Sequence, residues 1–343
     1  MRKQRVKIGG IAVLFVILAL AFTAAGCKDK KNQVNSAALA NDLEDLAVLK
    51  VPAGAWAYVA REKGWFKETF EDKGIKVELV EGVLGNEAQL MARDDVHFAG
   101  RMIYPFLLYR ASGADLTTIQ VSGHPSPDVA SIVVLEDSPY KTFADLKGQN
   151  IGTWRAGCPF MVLVQMTDDE GWAEGVDWFH VNIRDDNYKT ALLTGAVAAI
   201  SCHPGNDIQV MIANGTARQI AYPREDSPYV QGGGVTVVFT PTQFAQKYPK
   251  IVQKYLDLQQ STNTWILENQ DEAGAIVEKI TRTPVEMSKI SWERSRGNMT
   301  YSEKDLALIK RETQVTLDWL ESHGEVEKGK LLIDELFAPR FFN

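Results

Sequence analysis

The chain of 343 residues and 38.1 kDa has room for about two domains at roughly 150 residues each. Its 45% hydrophobic and 24% charged make-up is that of a packed globular protein, not a disordered one, and a mean hydropathy of −0.16 with a single long apolar run excludes a multi-span membrane protein. Thirty-seven Lys and Arg against 44 Asp and Glu give a net charge of −7, and four of those cations lie in the first 26 residues, which hold no acid, so the remainder carries −11; that balance excludes a general nucleic-acid binder, and three cysteines exclude a disulfide scaffold.

The chain opens on an address. Arg2, Lys3, Arg5 and Lys7 precede an apolar run over residues 8–22, shorter than the roughly 20 residues of a permanent membrane helix. Small residues, Thr23-Ala24-Ala25-Gly26, then lead to Cys27. A basic, an apolar and a small-residue region in that order make a secretory signal. The cysteine directly after Ala-Ala-Gly resembles a bacterial lipoprotein lipobox, with Ala24 where Leu is commoner. The resemblance implies a signal peptide over 1–26, lipid on Cys27 and attachment to the cell membrane on its extracytoplasmic face. The alternatives are an ordinary signal with a nearby cysteine and an uncleaved anchor. Residues 27–45 read as a polar, flexible tether.

From residue 46 strand and helix signals alternate. Residues 46–51 read as a strand ended by Pro52-Ala53-Gly54, 55–66 as a helix, and 75–81 as an alternating strand. A short helix at 86–92, a strand at 96–99, a helix at 103–111 and a strand at 117–122 complete a βαβαβ succession. The pattern then restarts with a strand at 130–135. A short helix at 142–146 follows, with Thr142 as N-cap and Asp145 three residues on. Strands at 150–153, 176–183, 197–202 and 217–221 alternate with helices at 160–171, 188–194 and 207–213. Gly232-Gly233-Gly234 precedes a strand at 235–239, and beyond Pro241 the apolar spacing is helical.

Four stretches carry a resemblance. Ala60-Arg61-Glu62-Lys63-Gly64-Trp65-Phe66 has the form A-x-x-x-G-x-F, followed by an extended Gly74 to Val77. Ser138-Pro139-Tyr140-Lys141-Thr142-Phe143-Ala144-Asp145-Leu146-Lys147-Gly148 followed by Ile151-Gly152 is the most specific of the four. Ala191-Leu192-Leu193-Thr194-Gly195-Ala196-Val197-Ala198-Ala199 and the strand at 235–239 are the others. Together, over about residues 46 to 320, they resemble the extracytoplasmic solute-binding proteins of ABC importers, in the branch that takes nitrate, sulfonates, taurine and thiamine precursors. Ala198 stands where that family often has Asp. Arg101-Met102-Ile103-Tyr104-Pro105 replaces its small-residue loop.

The resemblance implies an α/β protein of the two-lobe type II periplasmic-binding-protein fold, with a mixed sheet in each lobe and a helical C-terminal tail. One lobe would combine 46–128 with 233–343, and the other would span 129–232. Two crossing strands would form a hinge near residues 126–130 and 232–235, where the glycine run tolerates unusual dihedrals. It further implies a monomer that captures a small solute and hands it to a membrane permease with its ATPase, with no cofactor, no metal and no catalytic residue.

Ligands in open α/β sheets sit at the carboxyl ends of strands and at helix N-termini. That rule points to Gly54-Ala55-Trp56, Gly85-Asn86, Gly100-Arg101-Met102, Gly123-His124, Trp154 to Cys158, Arg184-Asp185 and Cys202-His203-Pro204. The candidate ligand-binding residues are Trp56, Arg101, His124, Trp154, Arg155, Gly157, Cys158 and His203. Arg155 offers a planar fork for an anion, or is an exposed surface arginine. Gly157 admits close backbone approach, and Trp56 supplies a stacking wall or plugs a core. Arg101 is a second cation or a salt-bridged surface group. Cys158 and Cys202 read as two buried thiols, as a disulfide, or with His203 as a soft metal-binding corner. The arginines favour a small organic or inorganic anion such as a sulfonate, a nitrate-like ion or a carboxylate. Trp56, Trp154 and Tyr229 instead permit a planar heterocycle such as a pyrimidine precursor. An enzyme on the same fold is the alternative of another class, although no G-x-S-x-G, H-E-x-x-H or P-loop occurs.

Overall fold

In the computed structural model, residues 43–124, 130–203 and 206–342 are described. Cys27 with the signal and most of the tether, and the expected bend at 126–129, lie outside the described residues. The body begins inside the stretch read as tether. Leu43 is buried, and the Glu44 carboxylate accepts from the Lys250 and Ile251 N–H groups at 2.8 and 3.0 Å.

Strand β1 (Val48–Pro52) buries Leu49 and Val51 and pairs in parallel with β2 (Lys76–Val80). Between them the expected single helix is two, α1 (Ala55–Glu62) and α2 (Trp65–Thr69), because Gly64 turns the chain at φ +78°. Helix α3 (Glu87–Ala92), strand β3 (Ala99–Met102), helix α4 (Ile103–Ala111) and strand β4 (Leu116–Gly123) follow. β3 starts later than the sequence pattern places it. At His97 the backbone N–H reaches Lys50 O at 3.0 Å, but the Lys50 N–H is taken by the imidazole Nδ1 at 3.1 Å instead of by a carbonyl. The ladder is interrupted there and a side chain bridges it.

The second half repeats the pattern. Its elements are β5 (Ser131–Leu135), β6 (Asn150–Thr153), α5 (Cys158–Asp169), β7 (Phe179–Asn182), α6 (Tyr188–Leu193), β8 (Ala199–Cys202), α7 (Asn206–Ala213) and β9 (Ala217–Ala221). Before β6, Asp145 accepts from Lys141 and Thr142 N–H at 2.8 Å and starts a 3-10 turn over Phe143–Leu146, as the Thr-x-x-Asp spacing requires. Five strands form one sheet in the order β7-β6-β8-β5-β9, with β5 antiparallel to both neighbours. The chain then returns as β10 (Thr236–Pro241), antiparallel between β3 and β4. In each half the antiparallel strand is the one that arrives from the other half, so the chain passes between the sheets twice.

The glycines before β10 have ordinary dihedrals in this structure. None of the three lies in the left-handed region. A Cβ on Gly232 would lie 2.1 Å from Glu312 O, and one on Gly233 2.5 Å from Met161 Sδ. They admit a close approach of neighbouring chain. Glu312 belongs to the last helix of a group that runs α8 (Thr242–Lys247), α9 (Pro249–Glu268), α10 (Gln270–Thr281), α11 (Val285–Met299) and α12 (Leu306–Ser322). These helices are not a loose tail. Ile266, Ala273, Val277 and Trp292 share a buried cluster with Val59 of α1, while Ile309, Leu317 and Leu320 of α12 enter the main core beside Tyr104 and Tyr229. Among the described residues no helix is long and apolar enough to cross a membrane.

Candidate functional site

A cavity of about 260 Å³ opens where β3, β6 and β8 end, between the two halves. Leu84, Arg101 and Met102 line it from one side, and Trp154, Cys158 and His203 from the other. Arg101 reaches it from β3, beside Val237 of β10. A guanidinium nitrogen lies 3.6 Å from Glu87 Oε1, and both side chains are nearly buried. The other Glu87 oxygen accepts from the Tyr109 hydroxyl at 2.6 Å; burial first, then that bond, pushes the tyrosine pKa up. Beside its ion pair with Glu87 and its place over the Trp154 ring, the Arg101 guanidinium makes no hydrogen bond to another described residue, and it lines the cavity.

The Trp154 ring is set by neighbours on both sides of the opening. The guanidinium carbons of Arg101 and Arg184 stand 5.2 and 5.0 Å from its centroid, within cation–π range. Gly85 makes this packing possible. Its φ is +81°, and a Cβ there would sit 2.9 Å from the tip of the indole and 3.2 Å from both terminal nitrogens of Arg184. Arg184 also donates to Leu84 O at 3.4 Å. These contacts join the two halves at the rim.

Beyond Trp154 the chain turns, with Gly157 N–H bonded to Trp154 O at 2.9 Å, and α5 begins with Pro159 in its first turn. The N-terminus of this twelve-residue helix adds positive potential at the cavity wall. Cys158 Sγ is 2.8 Å from Met102 Sδ and 2.9 Å from His203 Nε2. Burial pushes this thiol up to about 12, against a smaller opposing pull from Arg101. Cys202 points into a different core cluster, and its thiol is likewise raised by burial. Both cysteines are free, so the expected alternative of a disulfide is corrected. Among the described residues no group of three or more His, Cys, Asp or Glu is disposed to hold a metal ion.

Of the eight residues singled out in the sequence, Arg101, Trp154, Gly157, Cys158 and His203 line this cavity. Three do not. Trp56 is half-buried and packs against the core at Phe66 and Tyr255, with centroids 5.7 and 5.4 Å away. His124 stacks edge-on to Tyr301 and lies 3.5 Å from Glu312 Oε1. Arg155 lies in the turn after Trp154 and does not line the cavity. It donates to Glu325 Oε1 at 3.0 Å, lies 3.6 Å from Glu174 Oε1 and covers Phe160. Its charge is answered by Glu174 and Glu325. Arg184 and Met102 were inside segments flagged by the strand-end rule, but Glu87 had no signal beyond its place in the first turn after Gly85-Asn86.

The family model described as "NMT1/THI5 like" matches residues 52–273. A protein of Bacillus subtilis (strain 168), whose name assigns it aliphatic sulfonates, is 25% identical over 278 residues, covering 78% of this chain and 77% of that one. The crystallised alkanesulfonate-binding protein SsuA from Xanthomonas axonopodis pv. citri, bound to MOPS, superposes with a TM-score of 0.71 at 18% identity, covering 86% of this chain and 99% of that one. The desulfurization enzyme DSZB shares the fold more distantly, with a TM-score of 0.54, 17% identity and coverage of 86% and 97%.

Proposed function

The chain belongs to the NMT1/THI5-like family, and from that premise we propose that it is the solute-capturing component of an ABC importer, taking a small anion, an aliphatic sulfonate first, between its two halves. The observation that carries this reading is Arg101, a nearly buried guanidinium at the cavity with no hydrogen bond to another described residue. Trp154 and the α5 N-terminus stand beside it. A cavity of about 260 Å³ lies below the range for drug-sized ligands, which fits a short-chain solute. The similarity to two proteins named for sulfonates supports the same class.

The halves, 46–128 with 233–343 against 129–232, close on the solute and the closed form docks on a permease with its ATPase. Lipid on Cys27 holds the monomer at the outer face of the cell membrane. An enzymatic reading has two observations in its favour, the fold shared with the enzyme DSZB and the Cys158–His203 contact. A nucleophilic cysteine needs its thiolate near neutral pH, and a thiol raised to about 12 by burial favours the binding reading instead.

Calorimetry with short alkanesulfonates, nitrate, carboxylates and an aminopyrimidine tests the proposal. A sulfonate is expected to bind the wild-type chain. Charge-assisted hydrogen bonds contribute roughly 1.5–3 kcal/mol each, so Arg101→Ala is expected to weaken that binding by about tenfold to 150-fold. Arg101→Lys restores only part, because the planar fork is lost. Unchanged sulfonate affinity in Arg101→Ala, or binding of the aminopyrimidine alone, overturns the anion assignment.

A further inference from the structure

Beside Arg101, but not using it, three soft donors converge. Met102 Sδ comes from the end of β3 in one half. Cys158 Sγ comes from the start of α5, and His203 Nε2 from the residue after β8, both in the other half. The sulfur of Cys158 stands 2.8 Å from one partner and 2.9 Å from the other. All three side chains line the same cavity, so a small ion has a way in.

The donor types decide which ion. Thiolate and thioether sulfur select Cu(I), and imidazole accepts copper readily. Zinc sites instead draw four ligands from Cys, His and carboxylates. Here the third donor is a thioether, and no set of three or more His, Cys, Asp or Glu gathers among the described residues. Asp185 lines the cavity without joining such a set.

We propose that Met102, Cys158 and His203 form a Cu(I) site that spans the two halves. On binding, the Cys158 S–H bond breaks, its proton leaves to solvent, and the sulfur forms a bond to the cation with no change of oxidation state. Metal coordination deprotonates a thiol outright, which overcomes the effect of burial on this one. The ion's charge is neutralised by the thiolate. The site goes beyond the anion reading, since its donors and its ligand are different.

The test uses the full chain with Cys27→Ser, without oxygen, against Cu(I) presented as its coloured bicinchoninate complex. One equivalent of copper per chain is expected to leave the dye, with an ultraviolet thiolate-to-copper band. Cys158→Ser is expected to abolish capture, and Cys202→Ser, in a separate core cluster, to retain it. Met102→Leu keeps the side-chain volume and is expected to fold and bind more weakly, which carries the test if Cys158→Ser does not fold. Dye that keeps its copper in the presence of excess chain overturns the proposal. So does loss of capture in Cys202→Ser alone, or equal affinity in Met102→Leu. Sulfonate binding, measured on the metal-free chain, stands or falls separately.

Discussion

The two halves of the molecule share a strand order but not an equally complete sheet. In β7-β6-β8-β5-β9 every neighbour is joined by a backbone ladder. The corresponding set in the other half falls into β1-β2 and β3-β10-β4, with the gap closed by His97, whose ring takes the Lys50 N–H and whose Nε2 faces Asp94 Oδ1 at 3.1 Å. The difference teaches that the path of the chain sets the architecture, and that a ladder can be finished by a side chain where the backbone leaves it. The halves also contribute unlike chemistry to the cavity. The interrupted sheet presents charge through Arg101, while the continuous one presents a helix N-terminus, an indole and an imidazole.

The most severe way to break this relation is to obstruct the return crossing. Gly232→Val places side-chain atoms where Glu312 O already lies, 2.1 Å from the Cβ position. Overpacking costs typically 1–3 kcal/mol and more where backbone must move, so a loss of about 3 kcal/mol or failure to fold is expected. Urea unfolding measures it, and a loss below about 1 kcal/mol would show that α12 yields easily.

A milder test removes the titrating bridge. Burial lowers the His97 pKa below its ordinary 6.5, with Asp94 opposing. The folded state therefore takes up the proton less readily than the unfolded one. Its stabilising effect is complete above about 6.5 and is lost as pH falls through and below that value. His97→Asn offers Oδ1 to the Lys50 N–H without titrating. Stability compared at about pH 7.5 and 5.5 is expected to change less in the variant than in the wild type; an equal change would mean that other groups govern this window.

The smallest effect is expected at Arg155, half exposed between Glu174 and Glu325. Surface ion pairs contribute roughly 0–1 kcal/mol. Arg155→Ala is expected to lower stability by less than about 1 kcal/mol and to leave sulfonate affinity within threefold of wild type, a limit of about 0.7 kcal/mol. A tenfold loss would return Arg155 to the ligand.

Much of this was legible in the sequence because it depends on short-range pattern. Apolar alternation located the strands, Thr142 and Asp145 marked a capped turn, and the rule for strand ends found the segments holding Met102, Trp154, Cys158 and His203. What was not legible depends on partners distant in the chain. Trp56 is claimed by Tyr255 of α9, and Gly232 by the backbone of α12. Arg155 and Arg184 both follow strands, but only the fold decides that Arg184 reaches the Trp154 ring and Arg155 reaches Glu174 and Glu325. A split ladder mended by an imidazole leaves no periodic trace at all.

The double passage of the chain between the sheets, as β4 leads to β5 and β9 to β10, has a consequence for affinity. On the proposed function, a solute resting on Arg101 in one half meets the second half as part of the same molecule. The second encounter then proceeds at an effective concentration on the order of millimolar, set by short linkers and not by how much protein is present. Two weak surfaces joined in this way can exceed either alone by roughly 10²–10⁴ in avidity without a new contact. With two passages instead of one, the approach is also restricted in direction, so the gain survives dilution of the protein to any level.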